Sequence, residues 1–263
     1  MAINLDSIKN RLQTLQDQTS DKTEKKSTLD DIWKPEVGQH QVRIVPYAHN
    51  KENPFIEMYF HYNLGKRTFL SPATYGNPDP VVEFAQKLQG KGTKEDWVAG
   101  KKLEPKLRVY APVIVRGEED KGVRFWGFGI TVYQELLSYI SDSDYGDITD
   151  PLNGRDIVLD VQPPEKTGKK FPTTAIRIKP NTSKVSEDPS VISSIKNQKN
   201  ITEIFSEPSY DELSQALEKY LFPEQESEVQ TDYSTSIASE STQSTKSTVD
   251  QIEQQWKELF DEE

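Results

Sequence analysis

The sequence predicts a mainly β protein with flanking helices, on three observations. Short segments with apolar side chains at every second position recur between residues 39 and 178. One helical pattern is embedded among them at 131–140. Helical spacing otherwise occurs toward the ends, at 4–18, 209–222 and 250–263.

Taken in order, NLDSIKNRLQTLQDQ (4–18) puts Leu5, Ile8, Leu12 and Leu15 on one stripe of an amphipathic helix, followed by a polar linker. QHQVRIVPY (39–47) alternates as a strand. FIEMYFHYNL (55–64) sets Ile56, Met58, Phe60, Tyr62 and Leu64 on one face and Phe55, Glu57, Tyr59 and His61 on the other. KLRVYAPVIV (106–115) points Leu107, Val109, Ala111, Val113 and Val115 inward, and Lys106, Arg108 and Tyr110 outward. The acidic loop RGEEDKG returns the chain into VRFWGFG, so 106–129 reads as a β-hairpin.

TVYQELLSYI follows, with Thr131 and Gln134 spaced as a capping box and Val132, Leu136 and Ile140 as the apolar stripe. RDIVLDV (155–161) and TTAIRI (173–178) are two further strands. Six short strands with one embedded helix are expected to avoid open edges by closing, and the nearest common match is an OB-fold-type Greek-key barrel. SYDELSQALEKYLF then forms a helix started by Ser209 and Glu212 and stopped by Pro223. Residues 223–249 are rich in Ser, Thr, Glu and Gln and are expected to be disordered.

Composition narrows the functional classes. Only 33% of the chain is hydrophobic, so part of it is expected not to enter a core. With no cysteine there is no disulfide, thiolate metal site or Cys nucleophile, and three histidines leave little for general-base chemistry. No apolar run approaches the ~20 residues of a membrane span, and MAINLDSIKNRL lacks a signal-peptide layout, so an intracellular, soluble protein with no membrane partner is expected. The net charge of −11 is unevenly placed. Residues 34–131 carry 15 Lys/Arg against 11 Asp/Glu, whereas 227–263 carry 2 against 9. An acidic pI therefore leaves room for a nucleic-acid partner.

In the hairpin, period-2 alternation puts Arg124, Trp126 and Phe128 on one side of the second strand. Phe128, between Gly127 and Gly129, is expected in the core. Trp126 and Tyr110, beside Arg124 and Arg108, are expected to stack on unpaired bases while the cations follow the phosphates. Arg43 and Tyr59 on strands, Lys66 and Arg67 in GKRTF, Lys106, and Lys169, Lys170 and Phe171 in GKKF complete a candidate DNA-binding groove.

The order IWKPEVGQHQVRIVP, ENPFIEMYFHY, KLRVYAPVIVRGEEDKGVRFWGFG, NGRDIVLDV resembles the single-stranded-DNA-binding (helix-destabilising) proteins of T-even-type bacteriophages, over about Ile32 to Phe222. The resemblance implies an OB-fold core and cooperative, sequence-independent binding of single-stranded DNA, without enzymatic activity. It implies service in phage DNA replication, recombination and repair, in the cytoplasm of an infected bacterium and not in the virion. It places Arg43, Tyr110, Trp126 and Phe171 at groove positions. Partners would be the protein itself along the DNA and phage replication proteins: polymerase, helicase loader, primase-helicase and recombination proteins. The family's structural zinc uses three Cys and one His. His61 stands at the His position, but SPATYGNPDPVVEF (71–84) has no Cys, so no metal or other cofactor is expected. Packing of Tyr75, Val82 and Phe84 is expected to hold 65–105 instead.

The family's basic Ser/Thr tract for self-association finds its nearest counterpart in Lys25, Lys26, Ser27 and Thr28. The acidic end, with Trp256, Leu259, Phe260, Asp261, Glu262 and Glu263, is expected to compete with DNA for the groove and to dock on partners. The resulting organisation is 1–28 helix and linker, 29–185 OB-fold core, 186–222 helical extension packed on the core, 223–249 linker and 250–263 partner-binding tail. Two rival functions remain: an OB-like protein-binding adaptor without a nucleic-acid role, and a metal-dependent nuclease using the carboxylates of DSDYGDITD (142–150).

Overall fold

A computed structural model describes residues 30–222 apart from Lys66 and Gly92. The segments assigned to self-association (Lys25, Lys26, Ser27, Thr28), the linker 223–249 and the tail with Trp256, Leu259, Phe260, Asp261, Glu262 and Glu263 lie outside the described residues.

The strands are β1 (Ile32–Trp33), β2 (Gly38–Ile44), β3 (Ile56–Leu64), β4 (Arg67–Leu70), β5 (Lys106–Val115), β6 (Arg124–Phe128), β7 (Arg155–Gln162) and β8 (Thr173–Thr182). The longer helices are α1 (Pro80–Lys91), α2 (Lys94–Leu103), α3 (Ile130–Ser141), α4 (Pro189–Lys196) and α5 (Tyr210–Leu221). Helix, at about 37%, outweighs strand at about 30%, so the fold is a mixed sheet with flanking helices and "mainly β" is corrected. No helix of the described residues is long and apolar enough to cross a membrane.

The described residues form two compact units, one of 30–58 with 107–206 and one of 59–106 with 207–222. This division differs from the expected continuous core at 29–185.

In the first unit the strand order is β1-β6-β5-β2-β7-β8. β1 runs parallel to β6, while the other neighbours are antiparallel. β1 and β8 stand at opposite ends of that order. One face of the sheet carries the main core: Val42, Ile44, Val109, Val113, Ile157 and Leu159 pack with Trp33, Trp126, Phe128 and the α3 residues Val132, Tyr133 and Leu136. The other face is covered by Val185, Val191 and Ile195 against Val45 and Ile114. Both faces are therefore apolar, and every residue from Val109 to Val115 is buried although the strand alternates in sequence.

α3 begins at Ile130 with Gly129 as its N-cap and no side-chain capping bond, so Thr131 and Gln134 do not form the expected box. Its stripe holds at Val132 and Leu136 and ends at Ile140, which is exposed.

The second unit comprises the β3–β4 hairpin from Tyr59 onward, α1, α2 and α5. Its core is Leu64, Phe69, Val81, Phe84, Ala85, Leu88, Leu103, Leu213 and Leu217. Two starts are set locally: Asp79 Oδ1 accepts from the Val81 and Val82 amides ahead of Pro80 in α1, and Thr93 and Asp96 form a reciprocal capping box on α2. Ser209 accepts from the Glu212 amide at the start of α5. Helices α1 and α2 approach closely at Gly100, where a Cβ would lie 2.6 Å from the Ala85 carbonyl oxygen. Of the side chains expected to hold this segment, Phe84 is buried and Val82 half-buried, but Tyr75 is exposed and is corrected.

Candidate nucleic-acid interface

In the first unit three of the eight expected groove residues, Arg43, Tyr110 and Trp126, are buried, and Arg108 and Arg124 are half-buried. Trp126 is 1% exposed, with its ring centroid 4.5 Å from that of Phe128 and 6.5 Å from that of Trp33. The hairpin register explains this. Ala111 faces Trp126 and Val109 faces Phe128 across the ladder, and directly paired residues project from the same side of a sheet. An inward Val109 and Ala111 therefore carry Trp126 inward with them. On the opposite face Tyr110 is paired with Gly127 and buried beside Phe205, at 5.0 Å between centroids. Its ring covers Gly127 so closely that an added Cβ would meet Tyr110 Cε1 at 2.6 Å.

The arginines expected in the groove, Arg43, Arg108 and Arg124, are also engaged. Arg43 is 0% exposed and donates to Ser183 O (3.0 Å) and Ser183 Oγ (2.8 Å), while pairing with Asp156 at 2.7 Å. Asp156 also holds Arg116 at 2.9 Å. Burial pulls the Arg43 guanidinium below its ordinary pKa, against the opposing pull of Asp156. Burial alone would raise the Asp156 carboxyl, but the Arg116 hydrogen bond and the charges of Arg43 and Arg116 hold it below the usual range. Arg108, half-buried, donates to the Gly127 carbonyl. Arg124, half-buried, pairs with Glu118 at 2.7 Å. These placements correct the expectation that Arg43, Arg108, Tyr110, Arg124 and Trp126 form one solvent-facing row. Lys169, Lys170 and Phe171 do reach solvent, Phe171 at 67% exposure, with Lys170 Nζ 5.5 Å from its ring centroid.

Three carboxylates of 142–150 hold local turns. Asp142 accepts from the Asp144 amide (3.0 Å), Asp147 from Thr149 N and Oγ1 (2.8 and 2.7 Å), and Asp150 from the Leu152 amide (2.7 Å).

In the second unit Tyr59 is exposed, and Arg67 lies over the Phe69 ring at 4.9 Å and pairs with Glu212 at 3.5 Å. Lys66 lies outside the described residues. Lys106 borders a pocket of about 460 Å³ whose lining includes Tyr62, Trp97, Val98, Lys101, Lys102 and Tyr220 around buried Leu64, Leu103 and His61. Trp97 is half exposed, at 50%, and Tyr62 and Tyr220 are exposed nearby. Lys101 pairs with Glu104 at 2.7 Å, and its hydrogen bond holds the Glu104 carboxyl low. Trp97 with Lys101, and Val98 with Lys102, are i, i+4 pairs of α2, so each ring or apolar side chain has a lysine one turn on. That i, i+4 spacing of ring and lysine is legible in KEDWVAGKK, but the sequence expectation for 65–105 is packing of Tyr75, Val82 and Phe84, and Tyr62, Trp97, Lys101, Lys102 and Tyr220 are not among its candidates.

The structural zinc implied by the resemblance does not fit. Both ring nitrogens of His61 are hydrogen-bonded within the protein, and among the described residues no group of three or more His, Cys, Asp or Glu could hold a metal ion. No protein-family model matches the sequence, and no curated protein matches it.

Proposed function

We propose that this chain binds single-stranded DNA without sequence preference and cooperatively, on an OB-fold-type core, in phage DNA replication, recombination and repair. The observation that carries the reading is the cluster on the second unit, where the exposed rings Trp97, Tyr62 and Tyr220 stand around one pocket with Lys101, Lys102 and Lys106. Flat π surfaces beside cations suit unpaired bases and their phosphates, and stacking tolerates any base. Lys169, Lys170 and Phe171 repeat the combination on the first unit. The order of sequence elements supports the phage setting and the OB-fold assignment.

A salt-dependent titration with oligo-dT tests the proposal. Wild-type protein is expected to lose affinity linearly in log[salt]. Trp97→Ala is expected to weaken binding about 5- to 100-fold, the range of one base–ring stack. No binding by the wild type would return the chain to the protein-adaptor reading.

A further inference from the structure

Residues 155–184, which hold β7, β8 and the turn between them, carry 7 Lys/Arg against 3 Asp/Glu in a chain of net charge −11. These strands give one face to the main core, through Ile157, Leu159, Ile176 and Ile178. Their other face is polar. Gln41 pairs with Val158 and Val158 with Arg177, so the three side chains stand in one row across β2, β7 and β8. Lys179 lies on the same face, because its Nζ donates to Gln41 Oε1 at 2.7 Å.

The carboxylates of that face are already engaged. Asp156 takes two donors on each oxygen, from Arg43 and Arg116 on Oδ1 and from Arg116 and Gln41 on Oδ2. An ionised carboxylate accepts about four hydrogen bonds, so Asp156 has nothing left for another cation. Asp160 accepts from Gln162 Nε2 at 3.1 Å. Arg177 is exposed and, among the described residues, makes no hydrogen bond or ion pair. Lys179 spends one of its three donors on Gln41. We infer that this face of β8 carries phosphates of the bound strand, on a path from Lys179 through Arg177 to Lys170 beside Phe171 at the turn into β8. The inference rests on the single-stranded-DNA reading and adds to it a backbone path on the first unit.

The spacing suits such a ligand. Arg177 and Lys179 are two residues apart, about 6.8 Å along an antiparallel strand, close to the separation of successive phosphates in an extended polynucleotide. Between Lys170 and Arg177 the face carries only Thr173 and Ala175, small side chains that leave a strand room to pass. Cations on a phosphate backbone read no sequence, as the reading requires.

Titrations of the full chain with oligo-dT at several salt concentrations test this. Arg177→Gln is expected to lower the slope of log K against log[salt] by about 0.7, and Lys170→Gln, Arg177→Gln and Lys179→Gln together by about 2. Between about 50 and 200 mM salt the triple variant then loses about 15-fold less affinity than the wild type. Arg177→Lys keeps the charge and is expected to keep the slope. Urea midpoints of the single variants are expected to match the wild type, since Arg177 holds nothing in place. A wild-type slope in both Gln variants would overturn the inference. A slope lowered as much by Arg177→Lys as by Arg177→Gln would do the same, because charge would not be the cause. Trp97→Ala removes no charge and separates the two proposals. If it weakens binding while the Gln variants change nothing, only the phosphate path falls. If the Gln variants lower the slope while Trp97→Ala is silent, the path stands and the pocket of the second unit loses its role. No binding by the wild type overturns both.

Discussion

Trp126 of the first unit and Trp97 of the second have similar company along the chain and opposite surroundings. Trp126 follows Arg124 by two residues, whereas Trp97 precedes Lys101 by four. Trp126 is enclosed by Trp33, Phe128 and the α3 side chains, while Trp97 is half exposed at a pocket rim. The sheet of the first unit has an apolar layer on each face, so from Val109 to Val115 neither parity of β5 is left for a ligand. Helix α2 buries Gly100 and Leu103 and leaves Trp97 and its lysine neighbours outside. A cation beside a ring in sequence is therefore no guide to exposure; what decides it is how many faces of the element are covered.

The sharpest way to break this comparison is to truncate both rings. Trp126→Ala is expected to cost about 3–5 kcal/mol of stability in urea unfolding, through lost burial and a cavity. Trp97→Ala is expected to stay within about 0.5 kcal/mol while weakening DNA binding. A reversed order would place the binding surface back on the hairpin.

Gly127→Ala probes the opposite face of that hairpin. Its new methyl group would collide with the Tyr110 ring, and overpacking of this kind is expected to cost about 1–3 kcal/mol. An unchanged unfolding midpoint would show that the ring moves aside freely, leaving Tyr110 available to solvent after all.

Acid acts on both units through Asp156 and Asp79. Each carboxyl is held below its unfolded value, so its contribution is complete above about pH 4 and is lost as pH falls through the folded value. The slope is at most about 1.4 kcal/mol per pH unit for each proton taken up. Unfolding titrations from pH 6 to pH 2 are expected to show both units losing stability in that lower window. Asp79→Asn is expected to flatten the response of the second unit alone.

Much of the secondary structure was legible. The strands at 39–44, 56–64, 106–115, 124–128, 155–161 and 173–178, the helix of Val132 and Leu136, and the Ser209 cap all follow from alternation, spacing and capping chemistry. The pattern Asp79-Pro80 and the capping box at Thr93 and Asp96 were equally local signals for α1 and α2. They compete for attention with the absence of cysteines in 71–84, which bears on metal and not on helix formation. The candidate site was less legible. Lys106 belongs to it, but Trp97, Lys101 and Lys102 become candidates only once α2 is known to be a helix.

The sequence alone determined where strands and helices lie, because side-chain period and cap chemistry act over a few residues. It also determined that a thiolate zinc site is impossible, because the ligands are absent. Only the tertiary structure decided which face of the hairpin is inside, since pairing Ala111 with Trp126 depends on the register across a loop. It also decided the partners of His61: Asp79 and Leu103 are distant from it in sequence, and only packing brings them to its two ring nitrogens.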